Sequence, residues 1–481
     1  MIKKKAHLIG ICGAGMSALA ILLKESGYVV TGSDNGFYEP ISGYLKKNKI
    51  SFAPKYSAKN IPKKVDVIVI GKHAELIPEE NEEVRAAFAS GAQTQSLPEA
   101  IAQLSKYKDN LVIAGSFGKS TCTALTSWCL MEAKKPARLG HSGGDPSYFI
   151  GAVPIGFKQS SHIGSGADFV IEGDEYPSSN WDNNSKFLHF NPRSVLLTSG
   201  EHDHKNVFKT EKSYIDPYKK LVAKISQDGL LVFSLDGKNN KEIIAKTNCK
   251  TISYSLFNSQ ADYHAENIKY GVNTSFDLIK NGQKIAKIKT TLLGNHNLEN
   301  IVGCGALLLE NNKITATEFS QAVARFQGIK RRLELLTSKS SVSVYEGFGS
   351  SYGKAKSAFE AIKLHFPKKK IITVFEPKTF SWRNIAAKEW YKDIFDTCEE
   401  VIILPPSEHG KNTHDQMSFL EIVKEIKKNH KAVYPAQNEQ EVLELLKNIT
   451  AKDNIIMLMS SGSLLGLTRS VPKMIEKMFS K

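Results

Sequence analysis

Ala114-Gly115-Ser116-Phe117-Gly118-Lys119-Ser120-Thr121 is the stretch on which the reading of this 481-residue chain turns. It follows the apolar run Leu111-Val112-Ile113 and leads into Cys122-Thr123-Ala124-Leu125-Thr126-Ser127-Trp128, which reads as helix. A buried strand, a glycine turn and a helix start form a phosphate cradle. The glycines let backbone N–H groups curl around an anion, and the helix amino terminus adds positive potential. Lys119 would reach the outer phosphates of a nucleoside triphosphate, and the Ser120 hydroxyl would hold a magnesium ion. The spacing is unusual. A typical phosphate loop has four residues between its first glycine and the Gly-Lys pair, whereas Gly115 and Gly118 here are separated by two. On its own the stretch is a short phosphate loop or a strand-to-helix turn that contains Gly-Lys-Ser.

The length suggests about three domains of ~150 residues each. A hydrophobic content of 41% with 23% charged residues fits a globular protein with ample core. No segment approaches the ~18 uninterrupted apolar residues of a membrane span. The basic start Met1-Ile2-Lys3-Lys4-Lys5 resembles the head of a signal peptide, but Gly10, Gly13 and Gly15 break the apolar stretch behind it into a strand and turn. The expectation is a cytoplasmic protein. Cys12, Cys122, Cys129, Cys249, Cys304 and Cys398 form no C-x-x-C pair, which points to reduced thiols and not to a disulfide framework or zinc site. The net charge of +15 invites a nucleic-acid partner. The lysines are dispersed, however, and Lys368-Lys369-Lys370 reads as a solvated loop. Small multiply charged anions are the expected partners, with neither nucleic acid nor membrane.

Outward from the loop, strands alternate with helices, the signature of parallel sheets whose ligands lie at strand carboxyl ends. Over residues 1–108, His7-Leu8-Ile9 leads into Gly10-Ile11-Cys12-Gly13-Ala14-Gly15 and a helix from Met16. Tyr28-Val29-Val30-Thr31 ends at Gly32-Ser33-Asp34, and Val65 to Ile70 ends at Gly71-Lys72-His73. The G-x-x-G-x-G spacing is not the dinucleotide fingerprint, although Asp34 stands about where a ribose-binding acid would. The turn suits NAD or another nucleotide diphosphate equally. Over 109–327, the strand Asp168 to Ile171 ends in Glu172-Gly173-Asp174-Glu175, and Ser194 to Thr198 ends in Glu201-His202-Asp203-His204. Carboxylates and imidazoles at the same sheet edge as the loop suit a metal–triphosphate site. Residues 226–290 read as short antiparallel strands. Over 328–481, strands at 371–375, 401–404 and 454–459 alternate with helices near 383–398, 417–428 and 438–448 in a third α/β unit.

Taken in order, these motifs resemble the Mur ligases, ATP-dependent amide-bond formers of peptidoglycan synthesis. The resemblance spans essentially the whole chain. It adds Asp203-His204, Gly294-Asn295-His296-Asn297-Leu298-Glu299-Asn300 and Phe326-Gln327-Gly328-Ile329-Lys330-Arg331-Arg332-Leu333-Glu334 to the motifs above. The short loop becomes a positive feature, because that family uses this spacing. The resemblance implies a three-domain α/β architecture. A Rossmann-like UDP-sugar domain covers 1–108, a P-loop ATPase domain 109–327, and a Rossmann-like domain for the amine substrate 328–481. It implies ATP and magnesium as cofactors, with Gly115, Ser116, Gly118, Lys119, Ser120 and Thr121 around the triphosphate. Ser120, Glu172 and His204 would be metal ligands, and Lys119, Glu172 and His204 the catalytic set. Asn297 would read adenine with support from His296, and Arg331 or Arg332 would approach the nucleotide. UDP would sit on Gly13-Ala14-Gly15-Met16 with Ser33, Asp34 and His73 lining its pocket.

The glycine pattern and Arg331-Arg332-Leu333-Glu334 resemble the branch that uses UDP-N-acetylmuramic acid directly, adding either L-alanine or a ready-made L-Ala-γ-D-Glu-meso-diaminopimelate tripeptide. The stretches Ser33 to Pro40, Asp203 to Phe208 and Phe375-Glu376-Pro377-Lys378-Thr379 lean toward tripeptide addition in peptidoglycan recycling. Lys378, Arg383 and Ser460-Ser461-Gly462 are candidates to meet the peptide's carboxylates. The chain also departs from the family pattern. Gly347 stands where an Asp is expected in the third domain and Ser350 where a His is expected, with Glu346 adjacent. Phe117 replaces the usual His of the loop, and the place of a carbamylated lysine found in several relatives falls near Tyr218. These departures leave open a catalytically weakened relative that binds nucleotide or muropeptide.

Overall fold

The computed structural model describes residues 3–36, 41–133, 144–204, 207–406 and 415–480. Phe37 to Pro40, Lys205 and Asn206, which belong to two of the stretches read above, lie outside the described residues. The chain forms two compact units. One comprises Met1–Ile268, Ser275–Thr290 and Glu299–Gln327, and the other Lys269–Thr274, Thr291–Leu298 and Gly328–Lys481.

The first unit holds two sheets. β1 (Lys5–Ile9), β2 (Val29–Ser33), β3 (Ser51–Ala53), β4 (Val67–Ile70) and β5 (Gln93–Ser96) pair in the order β3-β2-β1-β4-β5, parallel throughout. β4 is buried along its whole length, as expected of a parallel strand covered on both faces. Ala6 and Leu8 of β1 join a core that includes Leu19, Leu22 and Leu23 of the helix Ala14–Glu25, while Ile9 packs on the other face with Ile68 and Ile70.

The second sheet is built from β6 (Asp109–Ala114), β7 (Ser147–Phe149), β8 (Ser161–His162), β9 (Asp168–Gly173), β10 (Ser194–Leu197), β11 (Leu230–Ser234), β12 (Lys250–Tyr254), β13 (Tyr263–Lys269), β14 (Thr274–Lys280) and β15 (Gln283–Thr290). Its order is β15-β14-β13-β12-β11-β10-β6-β9-β7-β8. β6 lies between β10 and β9, parallel to both. Its last residue, Ala114, pairs with Leu197 on one side and Gly173 on the other. The expectation of antiparallel strands over 226–290 holds for β13, β14 and β15, sheet neighbours joined by turns too short for a parallel crossover, and needs correction for the strands before them. β11 pairs parallel to β10, β12 parallel to β11, and β13 meets β12 in parallel at Tyr254 and Tyr263. β11 is wholly buried, so its apolar run continues the parallel core.

The second unit carries β16 (Arg332–Leu335), β17 (Ser343–Gly347), β18 (Ile371–Phe375), β19 (Glu400–Ile403), β20 (Val433–Pro435) and β21 (Ile455–Met459) in the order β16-β17-β21-β18-β19-β20. β16 alone among them is antiparallel to its neighbour. Helices Phe419–Asn429 and Glu439–Ile449 fall where their periodicity predicts them, while 385–392 is a 3-10 helix capped by Asn384. All six cysteines are free thiols. Among the described residues no helix is long and apolar enough to cross a membrane.

Candidate active site

The loop after β6 is shaped by two glycines in the left-handed region. Gly115 has φ 129° and Gly118 φ 81°. A Cβ on Gly115 would stand 2.1 Å from Thr198 Oγ1, and one on Gly118 2.5 Å from Asn300 Oδ1. Both positions therefore require glycine for space as well as for backbone freedom. Gly118 ends the turn and the helix Lys119–Glu132 begins there. Ser116 is a brace within the fold. Its N–H donates to Ser199 O, its hydroxyl donates to Ser199 O and Glu201 O, and Tyr214 OH donates to Ser116 Oγ at 2.9 Å. Thr198 Oγ1 donates to Phe117 O at 2.6 Å. Ser116, Ser120 and Thr121 are buried, while the Phe117 side chain is exposed.

Because β9 and β10 flank β6 in register, the residues beyond their ends arrive on either side of the loop. Ser120 Oγ donates to Glu172 Oε1 at 2.8 Å, and Gly151 N donates to Glu172 Oε2 at 2.6 Å. The Lys119 ammonium contacts Gly115 O and forms an ion pair with Glu175 Oε2 at 2.9 Å. The other oxygen of Glu175 lies 3.4 Å from His204 Nε2. Tyr176 OH lies 2.7 Å from His204 Nδ1, and the two rings pack at 4.6 Å. His204 has φ 53°, in the left-handed region. Asp174 is tied to Lys186 at 2.6 Å. Burial would raise its carboxyl, but the Lys186 ammonium and the N–H of Tyr176 outweigh burial and hold it below the usual range. The sheet thus brings together Lys119, Ser120, Glu172 and His204. It adds Glu175, a residue that sequence reasoning placed in the acidic cluster without a role.

The donor set around Ser120 fits magnesium: a hydroxyl and a carboxylate, both hard oxygen donors, beside a helix amino terminus. Among the described residues no three His, Cys, Asp or Glu side chains converge to hold a metal ion. A cation at Ser120 and Glu172 would therefore take its remaining ligands from phosphate oxygens and water, the usual habit of magnesium.

At the other glycine turn of this unit, Gly13 starts the helix Ala14–Glu25, and Gly15 closes on Leu97, whose Cδ1 would lie 2.9 Å from an added Cβ. Met16 is buried. Asp34 secures the turn by accepting from Cys12 N at 2.8 Å, Gly36 N at 3.1 Å and Tyr56 OH at 3.3 Å. Burial, helped by the Asp34 charge, pushes the Cys12 thiol up to about 11. Ser33 is fully buried and donates to Glu83 Oε1 at 2.8 Å. That carboxylate also pairs with His7 and accepts from Ser57 N and Asn60 Nδ2. Burial pushes Glu83 up, but these partners outweigh it and hold it below the usual range. His73 is largely exposed beside Glu75.

His296, Asn297, Arg331 and Arg332 belong to the second unit. Asn297 is buried, and its Nδ2 donates to Leu293 O at 2.8 Å. His296 is exposed. The Gly294 turn before it is held by His365, whose Nε2 accepts from Gly294 N at 2.8 Å while Nδ1 faces Gly271 O at 2.9 Å. Arg331 Nε donates to Glu346 at 3.0 Å, its Nη2 donates to the carbonyls of Ser460 and Gly462, and its guanidinium lies over the Phe348 ring. Burial pushes Glu346 up despite Arg331.

Residues 113–308 match the family description "Mur ligase middle domain", and residues 5–109 match "Mur ligase family, catalytic domain". A UDP-N-acetylmuramate–L-alanine ligase of Chlorobium phaeobacteroides is 30% identical over 386 residues, covering 80% of this chain and 78% of that protein. The chain belongs to the Mur ligase family. Mur ligases are ATP-dependent, ADP-forming amide ligases. The UDP-N-acetylmuramate–L-alanyl-γ-D-glutamyl-meso-2,6-diaminoheptandioate ligase of Escherichia coli K12 is 28% identical over 407 residues, covering 84% of this chain and 85% of that one. The fold is that of the crystal structure of the UDP-N-acetylmuramate–alanine ligase MurC of Thermotoga maritima, with TM-score 0.77, 20% identity, and 98% and 99% of the two chains covered.

Within the Mur ligase fold, the two departures at Gly347 and Ser350 of the second unit have a physical setting. Gly347 ends β17 opposite Met459 of β21. A Cβ at Gly347 would lie 2.3 Å from Met459 Sδ, so sulfur fills the space that a side chain there would need. Ser350 O accepts from Thr379 Oγ1 at 2.9 Å. The Tyr218 position is closed as well. Its hydroxyl lies 3.2 Å from Tyr214 OH in a fully buried pair.

Proposed function

We propose that this chain joins a peptide amine to the carboxylate of UDP-N-acetylmuramic acid at the expense of ATP, with the L-Ala-γ-D-Glu-meso-diaminopimelate tripeptide as the incoming amine, in peptidoglycan recycling. The observation that carries the reading is the convergence of Lys119, Ser120, Glu172 and His204 at the carboxyl ends of β6, β9 and β10. A carboxylate resists an amine because its leaving group would be oxide; once it becomes an acyl phosphate, the leaving group is phosphate. Such a transfer depends on positioning and charge stabilisation. Lys119 and the amino terminus of its helix would neutralise the transferring phosphoryl group. Ser120 and Glu172 would hold magnesium, which when bound neutralises charge between the outer phosphates. His204 would stand on the acyl side, fixed by Tyr176 and Glu175. The turn at Gly13 to Met16, with Asp34, would receive the UDP moiety, and His296 and Asn297 the adenine.

A relative of each amine preference matches this chain at similar identity. The amine is therefore decided by assay: ADP release with ATP, Mg2+ and UDP-N-acetylmuramic acid, offered the tripeptide or L-alanine. Faster turnover with the tripeptide is expected, and preference for L-alanine would reverse that part of the reading. A second reading, a muropeptide- or nucleotide-binding relative without turnover, is favoured by the sulfur-filled space at Gly347. Binding of ADP and UDP-sugar by calorimetry with no ADP release from any amine would select it.

A further inference from the structure

We propose that Glu175 is a positioning residue that ties Lys119 to His204 and thereby trades nucleotide affinity for turnover. The inference rests on the ligase reading above. Glu175 is 1% exposed, so its carboxylate is confined to the partners around it. Those partners are two residues that the reading assigns to the phosphates and the acyl group. Oε2 lies 2.9 Å from Lys119 Nζ and Oε1 lies 3.4 Å from His204 Nε2. Glu172 is engaged with Ser120 and Gly151, and Asp174 with Lys186; Asp203 also faces His204 Nε2, at 3.6 Å, and Glu175 is the acid paired with both that ring and Lys119. Glu175 is thus the carboxylate that spans the phosphate-loop lysine and the histidine beyond β10.

Two consequences follow from this geometry. An anion that takes Lys119 must compete with a carboxylate already 2.9 Å away, and it must tolerate that negative charge at the end of its own phosphate chain. Glu175 therefore weakens nucleotide binding. Once Lys119 turns to phosphate, a buried carboxylate beside His204 remains as that ring's anchor. Together with Tyr176 on Nδ1 and Asp203, 3.6 Å from Nε2, it holds the imidazole at a fixed angle to the loop. Glu175 therefore supports turnover. A residue with a purely structural role would move both quantities the same way, since loosening the site weakens binding and slows turnover together.

The test is calorimetric titration of ADP, with Mg2+ and at fixed ionic strength, into wild type and Glu175→Gln, alongside turnover at saturating substrates. In Glu175→Gln the ADP dissociation constant is expected to fall roughly tenfold, the scale of one partly buried ion pair, while turnover falls at least tenfold. Glu175→Asp keeps the charge on a shorter arm and should be intermediate in both. An ADP dissociation constant that is unchanged or higher in folded Glu175→Gln overturns the proposal. If that variant does not fold, Glu175→Asp decides alone, and an ADP dissociation constant equal to or above the wild-type value overturns it. A wild-type chain that binds no ADP would sink the ligase reading itself, which separates the two failures.

Discussion

Replacing Lys119 by methionine tests how the site is assembled as well as what it does. The ammonium lies 2.9 Å from Glu175, with the two side chains 14% and 2% exposed. At an effective dielectric of about 20 their attraction is about 6 kcal/mol. Desolvation of both groups offsets much of it, so the pair's net contribution is small. Removing one partner is different, because it strands a carboxylate that water cannot reach, at a cost of about 3–5 kcal/mol. His204, 3.4 Å from the other oxygen, remains as a partial partner and places the expected loss near about 3 kcal/mol. At about 2.1 cal/mol/K of unfolding entropy per residue, that lowers the melting temperature of the first unit by roughly 4–5 °C. Lys119→Met should therefore lose turnover and also stability. Adding Glu175→Gln to it should restore about 2 kcal/mol and no turnover. Scanning calorimetry of wild type, both single variants and the double variant gives the comparison. A loss under about 1 kcal/mol for Lys119→Met, or a double variant no more stable than Lys119→Met, would refute the reasoning.

Other perturbations follow from the same geometry. Gly118→Ala meets both a φ of 81° and Asn300 Oδ1 at 2.5 Å. It should cost about 1–2 kcal/mol in backbone strain and weaken ADP binding at least tenfold by calorimetry, with Asn300→Ala relieving only the steric part. Gly347→Asp, which installs the residue expected of the family, should lower the stability of the second unit by about 3 kcal/mol in urea unfolding. The new side chain meets Met459 Sδ and buries a carboxylate; Gly347→Ala, which crowds Met459 without the charge, should lose less. His365 is held below its ordinary pKa by burial. The unfolded chain therefore takes up a proton that the folded one resists, and this contribution to stability is full above about pH 6.5 and lost as pH falls through the folded value. The urea midpoint of the second unit should drop between pH 7.5 and 5.5, and His365→Gln should flatten that slope.

Local chemistry carried most of what could be read in advance. A strand, two glycines and a helix start make the 114–121 cradle from neighbouring residues, and the alternation of strands and helices predicts parallel sheets. Partnerships across the sheet are silent in the chain. The resemblance makes Ser33 a pocket residue, and nothing in the chain signals that its hydroxyl donates to Glu83, fifty positions away. Glu175 reads as one acid among several, and only the placement of β9 beside β6 sets it against Lys119. His365 carries no signal near its own position, because the turn it clamps is at Gly294. The 226–290 stretch misleads over β11 and β12 because its alternating pattern describes half-buried strands such as β12, and side-chain periodicity does not report whether a neighbour runs parallel or antiparallel.

The shared register of β9, β6 and β10 sets where this scaffold can absorb change in length. Ala114 is aligned with Gly173 on one flank and Leu197 on the other. One extra residue inside β9 would rotate Glu172 to the far side of the sheet and drag Glu175 out of reach of the loop. The same residue inserted near Trp181, beyond the strand and partly exposed, would leave that alignment untouched. Engineered tags and spliced segments should therefore be tolerated in surface turns such as that at Trp181, and rejected within the strands and in the turns directly after them that carry Lys119, Glu175 and His204.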